Sequence, residues 1–139
     1  MSAPKTNPSA AHTRARPVVY VVDDEVMILE LISVVLSPLG FEVVTFPDPA
    51  LAFEAFRETS NRPALIITDY AMHSMNGMEL IEKCKAVAPD QKIVLASGTV
   101  GEDVYANALA KPDRFLPKPF ETTQLVAVVR ELTGGEMDG

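Results

Sequence analysis

Cys84 is the only cysteine among 139 residues. No internal disulfide can therefore form, and no cysteine-based zinc cage can be built. Long apolar runs are missing too. Mean hydropathy is +0.14, and no stretch approaches the ~20 apolar residues that a membrane helix needs. The N-terminus has no apolar core of the kind a secretory signal carries, so the chain is read as cytosolic. Basic residues are a minority, 12 Lys and Arg against 19 Asp and Glu, for a net charge of −7. An acidic surface repels phosphate backbones, which disfavours direct nucleic-acid binding as the main task. No internal repeat is visible.

What is present suits one ordinary globular domain. Hydrophobic residues make up 47% and charged residues 22%, far from the composition of a disordered chain. Residues 1–16 are small, polar and Pro-containing, with Lys5, Arg14 and Arg16 and no acid. They are expected to be a disordered leader, with His12 a solvated residue in it. Residues 134–139 read as a flexible tail. Without these ends the body, 17–133, is more negative still, so it either tolerates or uses negative charge.

Within the body, apolar strands alternate with helical patterns. Val18–Val22 is a continuous β-branched run, the kind buried on both faces. Val26–Leu36 follows as a helix, stopped by Pro38, Leu39 and Gly40. Glu42–Thr45 is a second strand. Asp48 as N-cap and Pro49 at the first helical position open a helix containing Leu51, Phe53 and Phe56. Ala64–Thr68 is a third strand and Met78–Val87 a helix with Leu80, Ile81, Cys84 and Val87 on one stripe. Lys92–Ala96 is a fourth strand, and Glu102–Leu109 a weaker helix. Arg114–Pro117 is a short fifth strand whose proline argues for an edge, and Thr122–Leu132 a last helix. Five strand-then-helix units predict parallel strands, right-handed crossovers and helices on both faces of one sheet, a doubly wound α/β domain.

Ligands of such sheets bind beyond the carboxyl ends of the strands. There the first strand is followed by Asp23, Asp24 and Glu25, the third by Asp69, the fourth by Ser97 and Gly98, and the fifth by Lys118, Pro119 and Phe120. Singly, each has an ordinary use: Asp23 as a helix cap, Ser97 and Asp69 in turns, Lys118 as a solvated surface residue. Together they put several chemically capable groups at one sheet edge. Three close carboxylates raise one another's pKa, and a hard divalent cation with oxygen ligands, Mg²⁺, relieves the repulsion. A phosphoryl group arriving at one carboxylate would meet the metal on one oxygen, Lys118 on a second and the Ser97 hydroxyl on a third. Aspartate is an established phosphoryl-accepting nucleophile.

In this order and spacing the chain resembles the receiver domain of two-component response regulators. The matching pieces are Asp23-Asp24-Glu25 after two valines, then Ile66-Ile67-Thr68-Asp69, Met75-Asn76-Gly77, Leu95-Ala96-Ser97-Gly98 and Phe115-Leu116-Pro117-Lys118-Pro119-Phe120. The resemblance spans roughly Pro17 to Thr133 and implies a five-stranded sheet in the flavodoxin-like order 2-1-3-4-5. It implies Asp69 as phospho-acceptor. The Mg²⁺ would be held by Asp23 (through water), Asp24, Asp69 and the backbone carbonyl of Ala71. Ser97 and Phe115 would be the switch hydroxyl and switch aromatic, Lys118 the phosphoryl-binding lysine, and the Lys118–Pro119 bond cis. The implied role is a phosphorelay receiver, not an enzyme. It would take phosphoryl from a histidine kinase or histidine phosphotransfer protein and alter a surface read by a downstream protein target, as a monomer or weak dimer in the cytoplasm.

The chain departs from the family pattern at three places. His73 stands where proline is usual and is read as a loop residue beside the site. Ala71 offers no side chain. Lys111-Pro112 replaces a small pair before the fifth strand. Cys84 is expected in the core and Glu25 in solvent. Three rival readings stay open: a receiver excised from a hybrid kinase or longer regulator, a silent module with the same fold, and an Mg²⁺-dependent phosphatase with an aspartate nucleophile. The last would want its nucleophile after the first strand in an Asp-x-Asp arrangement, whereas Asp23-Asp24 is followed by Glu25.

Overall fold

The first strand, β1 (Val18–Val22), shows why the strands read as unbroken apolar runs: both its faces are buried. In a computed structural model, which describes residues 16–134, Val19 and Val21 point into one core and Tyr20 and Val22 into another. β3 (Leu65–Asp69) and β4 (Ile93–Ser97) repeat this, with every residue buried. β2 (Glu42–Phe46) and β5 (Arg114–Pro117) flank them. All four neighbour pairings are parallel, and the order is β2-β1-β3-β4-β5. Pro117 lies in an edge strand, where a missing N–H costs no ladder bond.

Helices cover both faces. α1 (Val26–Leu36) and α4 (Thr122–Leu132) place Leu29, Ile32, Leu36, Leu125 and Val129 against Val19, Val21 and Ile67. On the other face α2 (Pro49–Glu58) and α3 (Gly77–Val87) bring Ala52, Phe56, Leu80, Ile81 and Cys84 against Tyr20, Ile66 and Leu95. The Asp48 carboxylate accepts the Ala50 N–H at 2.9 Å at the start of α2. At α3, Asn76 and Glu79 exchange side-chain-to-backbone bonds of 2.9 and 2.8 Å, a reciprocal cap that begins the helix at Gly77 rather than Met78. No helix among the described residues is long and apolar enough to cross a membrane.

One expected element is absent. The helix anticipated over Glu102–Leu109 is a single 3-10 turn, Glu102–Tyr105, so four α-helices serve five strands. Val104, Ala106 and Ala108 donate to carbonyls three residues back, never four. Val104, Tyr105 and Asn107 have modest helix propensity, and a stretch this short gains too little from propagation to offset nucleation. Its far end is fixed by the sheet instead. Asp113 donates its N–H to the Ile93 carbonyl, and its carboxylate accepts from the Ile93 N–H at 2.8 Å and from Lys85 at 3.0 Å.

At the ends of the domain, Arg16 is folded in. Its guanidinium donates to the carbonyls of Phe41 (2.7 Å), Ser37 (3.0 Å) and Gly40 (3.4 Å), closing the turn after α1. The rest of the expected leader, with His12, and the tail beyond Gly134 lie outside the described residues.

Candidate functional site

The strands β3 and β4 each run one residue further than the sequence pattern suggests, so Asp69 and Ser97 are their last residues. Asp23 extends β1 by one more bond, its N–H donating to the Phe46 carbonyl at 3.1 Å. The sheet therefore sets the acids at adjacent strand ends. Oxygen atoms of Asp23, Asp24 and Asp69 all lie within 4.8 Å of one another.

Lys118 holds this cluster together. Its ammonium is 2.8 Å from Asp23 Oδ2, 3.1 Å from Asp69 Oδ1 and 3.7 Å from Glu25 Oε1. The other Asp23 oxygen accepts the Glu25 N–H at 2.9 Å. Both oxygens of this buried carboxylate are thus occupied, as burial of a charge requires. The lysine is aimed by its own backbone. Its N–H donates to the Ser97 carbonyl at 2.9 Å, and the bond to Pro119 is cis.

The electrostatics follow from burial. Asp69 is held above the ordinary aspartate value, first by desolvation and then by the Asp23 charge. The Lys118 ammonium and the Tyr70 N–H pull the other way without winning. Burial works against the Lys118 charge, but bonds and charge from Asp23 and Asp69 outweigh it, so its ammonium sits above the ordinary lysine value. The cluster is a set of hard oxygens, short of positive charge by more than one lysine supplies. Three such oxygens with an open side fit a hydrated Mg²⁺ and do not fit a soft ion.

The remaining expected residues sit as follows. Asp24 is half-buried, with His73 Nε2 3.8 Å from its Oδ2; the imidazole itself is 94% exposed. Ala71 is exposed on the loop after β3. The Ser97 hydroxyl accepts from the Thr99 and Val100 N–H groups at 3.0 and 3.1 Å and pairs with the Thr99 hydroxyl at 3.2 Å. Phe115 is half-buried against the second core, its ring 6.4 Å from that of Tyr105. Glu25 is exposed, and Cys84 is buried in the core, its thiol pushed up to about 12 by desolvation.

Two contributors are not legible from the chemistry of their side chains. Thr99 competes for the Ser97 hydroxyl, and the polar run Ser97-Gly98-Thr99 is the only hint of it. Gly77 has no side chain at all. An added Cβ there would sit 2.4 Å from the Asp69 carbonyl oxygen and 2.7 Å from Leu95 Cδ1. The start of α3 therefore presses on the backbone at the end of β3, and Gly77 donates its N–H to the Tyr70 carbonyl at 2.8 Å.

Comparison with known proteins points the same way. The family profile described as response regulator receiver domain matches residues 19–130. The DNA-binding response regulator MtrA of Mycobacterium tuberculosis is 31% identical over 112 residues, covering 81% of this chain and 48% of MtrA. The transcriptional regulatory protein PrrA of Mycobacterium bovis is 36% identical over 118 residues, covering 84% and 49%. The chain thus spans about half the length of the curated relatives it matches. Among solved structures, the response regulator TrrA of Thermotoga maritima, in complex with Mg²⁺ and beryllofluoride, superposes with a TM-score of 0.73 at 27% identity, covering 84% of this chain and 98% of that one. A CheY-like receiver domain from Methanospirillum hungatei gives a TM-score of 0.78 at 24% identity, covering 89% and 99%.

Proposed function

We propose, from the premise that this chain belongs to the response regulator receiver domain family, that Asp69 is a reversible phosphoryl acceptor served by a phosphohistidine donor. A carboxylate oxygen of Asp69 attacks phosphorus, the bond from phosphorus to the imidazole nitrogen breaks, and the donor histidine leaves. The observation that carries this reading is the Lys118 ammonium, bonded at 2.8 Å to Asp23 and at 3.1 Å to Asp69 within a three-carboxylate cluster. Lys118 is placed to follow negative charge from the Asp69 carboxylate onto an oxygen of the incoming group.

Asp23, Asp24, Asp69 and the Ala71 carbonyl would hold Mg²⁺, which supplies charge neutralisation of the phosphoryl oxygens when bound. Asp23, tied to Lys118 and to the Glu25 N–H, would position water for that ion rather than act as the nucleophile. Ser97 leaves the Thr99 and Val100 amides to donate its hydroxyl to a phosphoryl oxygen. That exchange loosens the start of the crossover to β5 and lets Phe115 repack, a population shift in the sense of a two-state switch. The added charge is local, and its readout is the surface formed by the crossover and β5.

Two surface features support the partner assignment. The exposed side of α1 carries Met27, Leu31 and Val34, which are 80%, 44% and 70% exposed. An apolar groove of about 440 Å³ beside it reaches Lys118, Pro119 and Phe120. A protein donor, a histidine kinase or a histidine phosphotransfer protein, would cover this face while presenting its histidine to Asp69. The net acidity of the domain favours protein partners over nucleic acid for its own contacts, and in this reading it acts in the cytoplasm as a signalling domain without multiple turnover.

The test is labelling by acetyl phosphate with and without Mg²⁺, on wild type and Asp69→Asn. The expected result is Mg²⁺-dependent labelling of wild type at one phosphoryl group per chain and loss of label in the variant. Labelling of Asp69→Asn at the same stoichiometry would show the acceptor to be another residue. Steady release of product from p-nitrophenyl phosphate would instead favour the phosphatase reading.

A further inference from the structure

The crossover from β4 to β5 is the one without an α-helix, and what it leaves uncovered is a trough along α3. Leu109 projects wholly into solvent there. On one side of it lies a groove of about 310 Å³ lined by Asn76, Met78, Glu79, Glu82, Val104 and Ala108. On the other side lies a groove of about 470 Å³ lined by Glu82, Lys85, Ala86, Pro89 and Lys111. Leu109, Ala110 and Glu82 border both grooves, so the two form one depression running from the N-cap of α3 to just beyond its last turn. Eleven helical residues span roughly 16 Å, and a helix of about three turns matches that length.

The charges around the trough select its occupant. Glu79 and Glu82 on α3 line the trough, and Glu102 and Asp103 precede the lining residue Val104 in the 3-10 turn without lining it themselves. All four are exposed. Of the cations, Lys85 is already bound to Asp113 at 3.0 Å, and Lys111 stands only at the Pro89 end. Apolar lining, the apolar knob of Leu109 and the uncompensated Glu79 and Glu82 at the Asn76 end together suit a helix with one apolar stripe flanked by lysine or arginine.

We propose that this trough is a docking site for a basic amphipathic helix of a partner protein, with Leu109 inserting between its apolar side chains. This surface is separate from the α1 face assigned above to the phosphoryl donor, and the docking does not depend on the assignment of Asp69. Its outer wall is the segment that leaves β4 at Ser97, so the trough and the carboxylate site are joined by one continuous stretch of backbone.

The probe is a synthetic peptide of about 14 residues, built from Leu and Lys with its leucines on one helical stripe. It is titrated into the isotopically labelled, unphosphorylated chain and followed by amide chemical shifts, with a matched Leu–Glu peptide as control. The expected result is saturable binding of the Leu–Lys peptide, with shifts confined to α3 and residues 102–111. Leu109→Ser should weaken it by at least about tenfold. Glu82→Lys should weaken the Leu–Lys peptide and improve the Leu–Glu peptide. Both substitutions fall on exposed side chains, and an unchanged thermal midpoint verifies the fold. Shifts centred on Met27, Leu31 and Val34, or an affinity indifferent to Leu109→Ser, would overturn the proposal. Sedimentation showing self-association that Leu109→Ser abolishes would overturn it too, by making a second copy the occupant. Labelling of Asp69 by acetyl phosphate proceeds or fails independently of all these outcomes.

Discussion

Asp69 stores an electrostatic cost in the metal-free protein. Its carboxyl is held above the ordinary value by burial and by Asp23, so folding favours its protonated form more than the unfolded chain does. A group shifted in that direction contributes stability that is fully present below its unfolded pKa, about 3.9, and is lost as pH rises through the folded value. Near neutral pH, with metal chelated, wild type therefore carries a penalty that an uncharged isostere lacks. Asp69→Asn is expected to raise the thermal midpoint there by a few degrees, on the order of 1 kcal/mol. The gap should close as pH falls towards 4. Midpoints measured by circular dichroism in chelator across that range decide it. A pH-independent gap, or a variant less stable than wild type near neutrality, would mean that the Lys118 bond outweighs burial. Asp23 accepts from Lys118 on one oxygen and from the Glu25 N–H on the other.

At the scale of elements, the start of α3 and the crossover behave oppositely. The α3 cap is tightly determined by the Asn76–Glu79 exchange and by Gly77 against the Asp69 carbonyl. Gly77→Ala forces an overpacked contact with backbone that cannot swing away, at a cost of about 1–3 kcal/mol. Urea unfolding should show that loss, and the proposed labelling of Asp69 should slow because the displaced carbonyl is that residue's own. A change within about 0.5 kcal/mol would show that the strand end yields without cost. The crossover has few backbone bonds, of the three-residue type, and little buried apolar surface. Its amides between 99 and 112 should exchange with solvent far faster than those of β1, β3 and β4, which open only on global unfolding. Hydrogen-exchange mass spectrometry resolves the two classes, and equal protection would remove the crossover as the moving part of the proposed switch.

For the whole molecule, three acids and one lysine at a sheet edge leave an excess of negative charge that folding has to contain. A cation that binds only the folded chain lowers this cost by mass action. Mg²⁺ at tenfold above its dissociation constant is expected to add about 1.4 kcal/mol of stability. Asp24→Ala should abolish the increment, while leaving the Asp23–Lys118–Asp69 contacts intact. Thermal midpoints over a Mg²⁺ titration give the result. No movement of the wild-type midpoint up to tens of millimolar would mean that Lys118 alone balances the cluster.

The sequence by itself determined the parallel sheet and its five strands, because strands buried on two faces must be apolar at every position, and Val18–Val22, Leu65–Ile67 and Ile93–Ala96 are. It also placed Asp23, Asp69, Ser97 and Lys118 at the carboxyl ends to within one residue, since each apolar run stops where these polar groups begin, and it placed Cys84 in the core. It did not determine the crossover. Glu102–Leu109 has enough apolar and acidic spacing to suggest a helix, yet its propensity is weak and the sheet contacts of Asp113 set where it must arrive. Nor did it show that Ser97 is held by the amides of Thr99 and Val100, or that Gly77 abuts the Asp69 carbonyl. Those contacts join residues through turns and packing that leave no periodic trace in the chain, so only the tertiary structure could decide them.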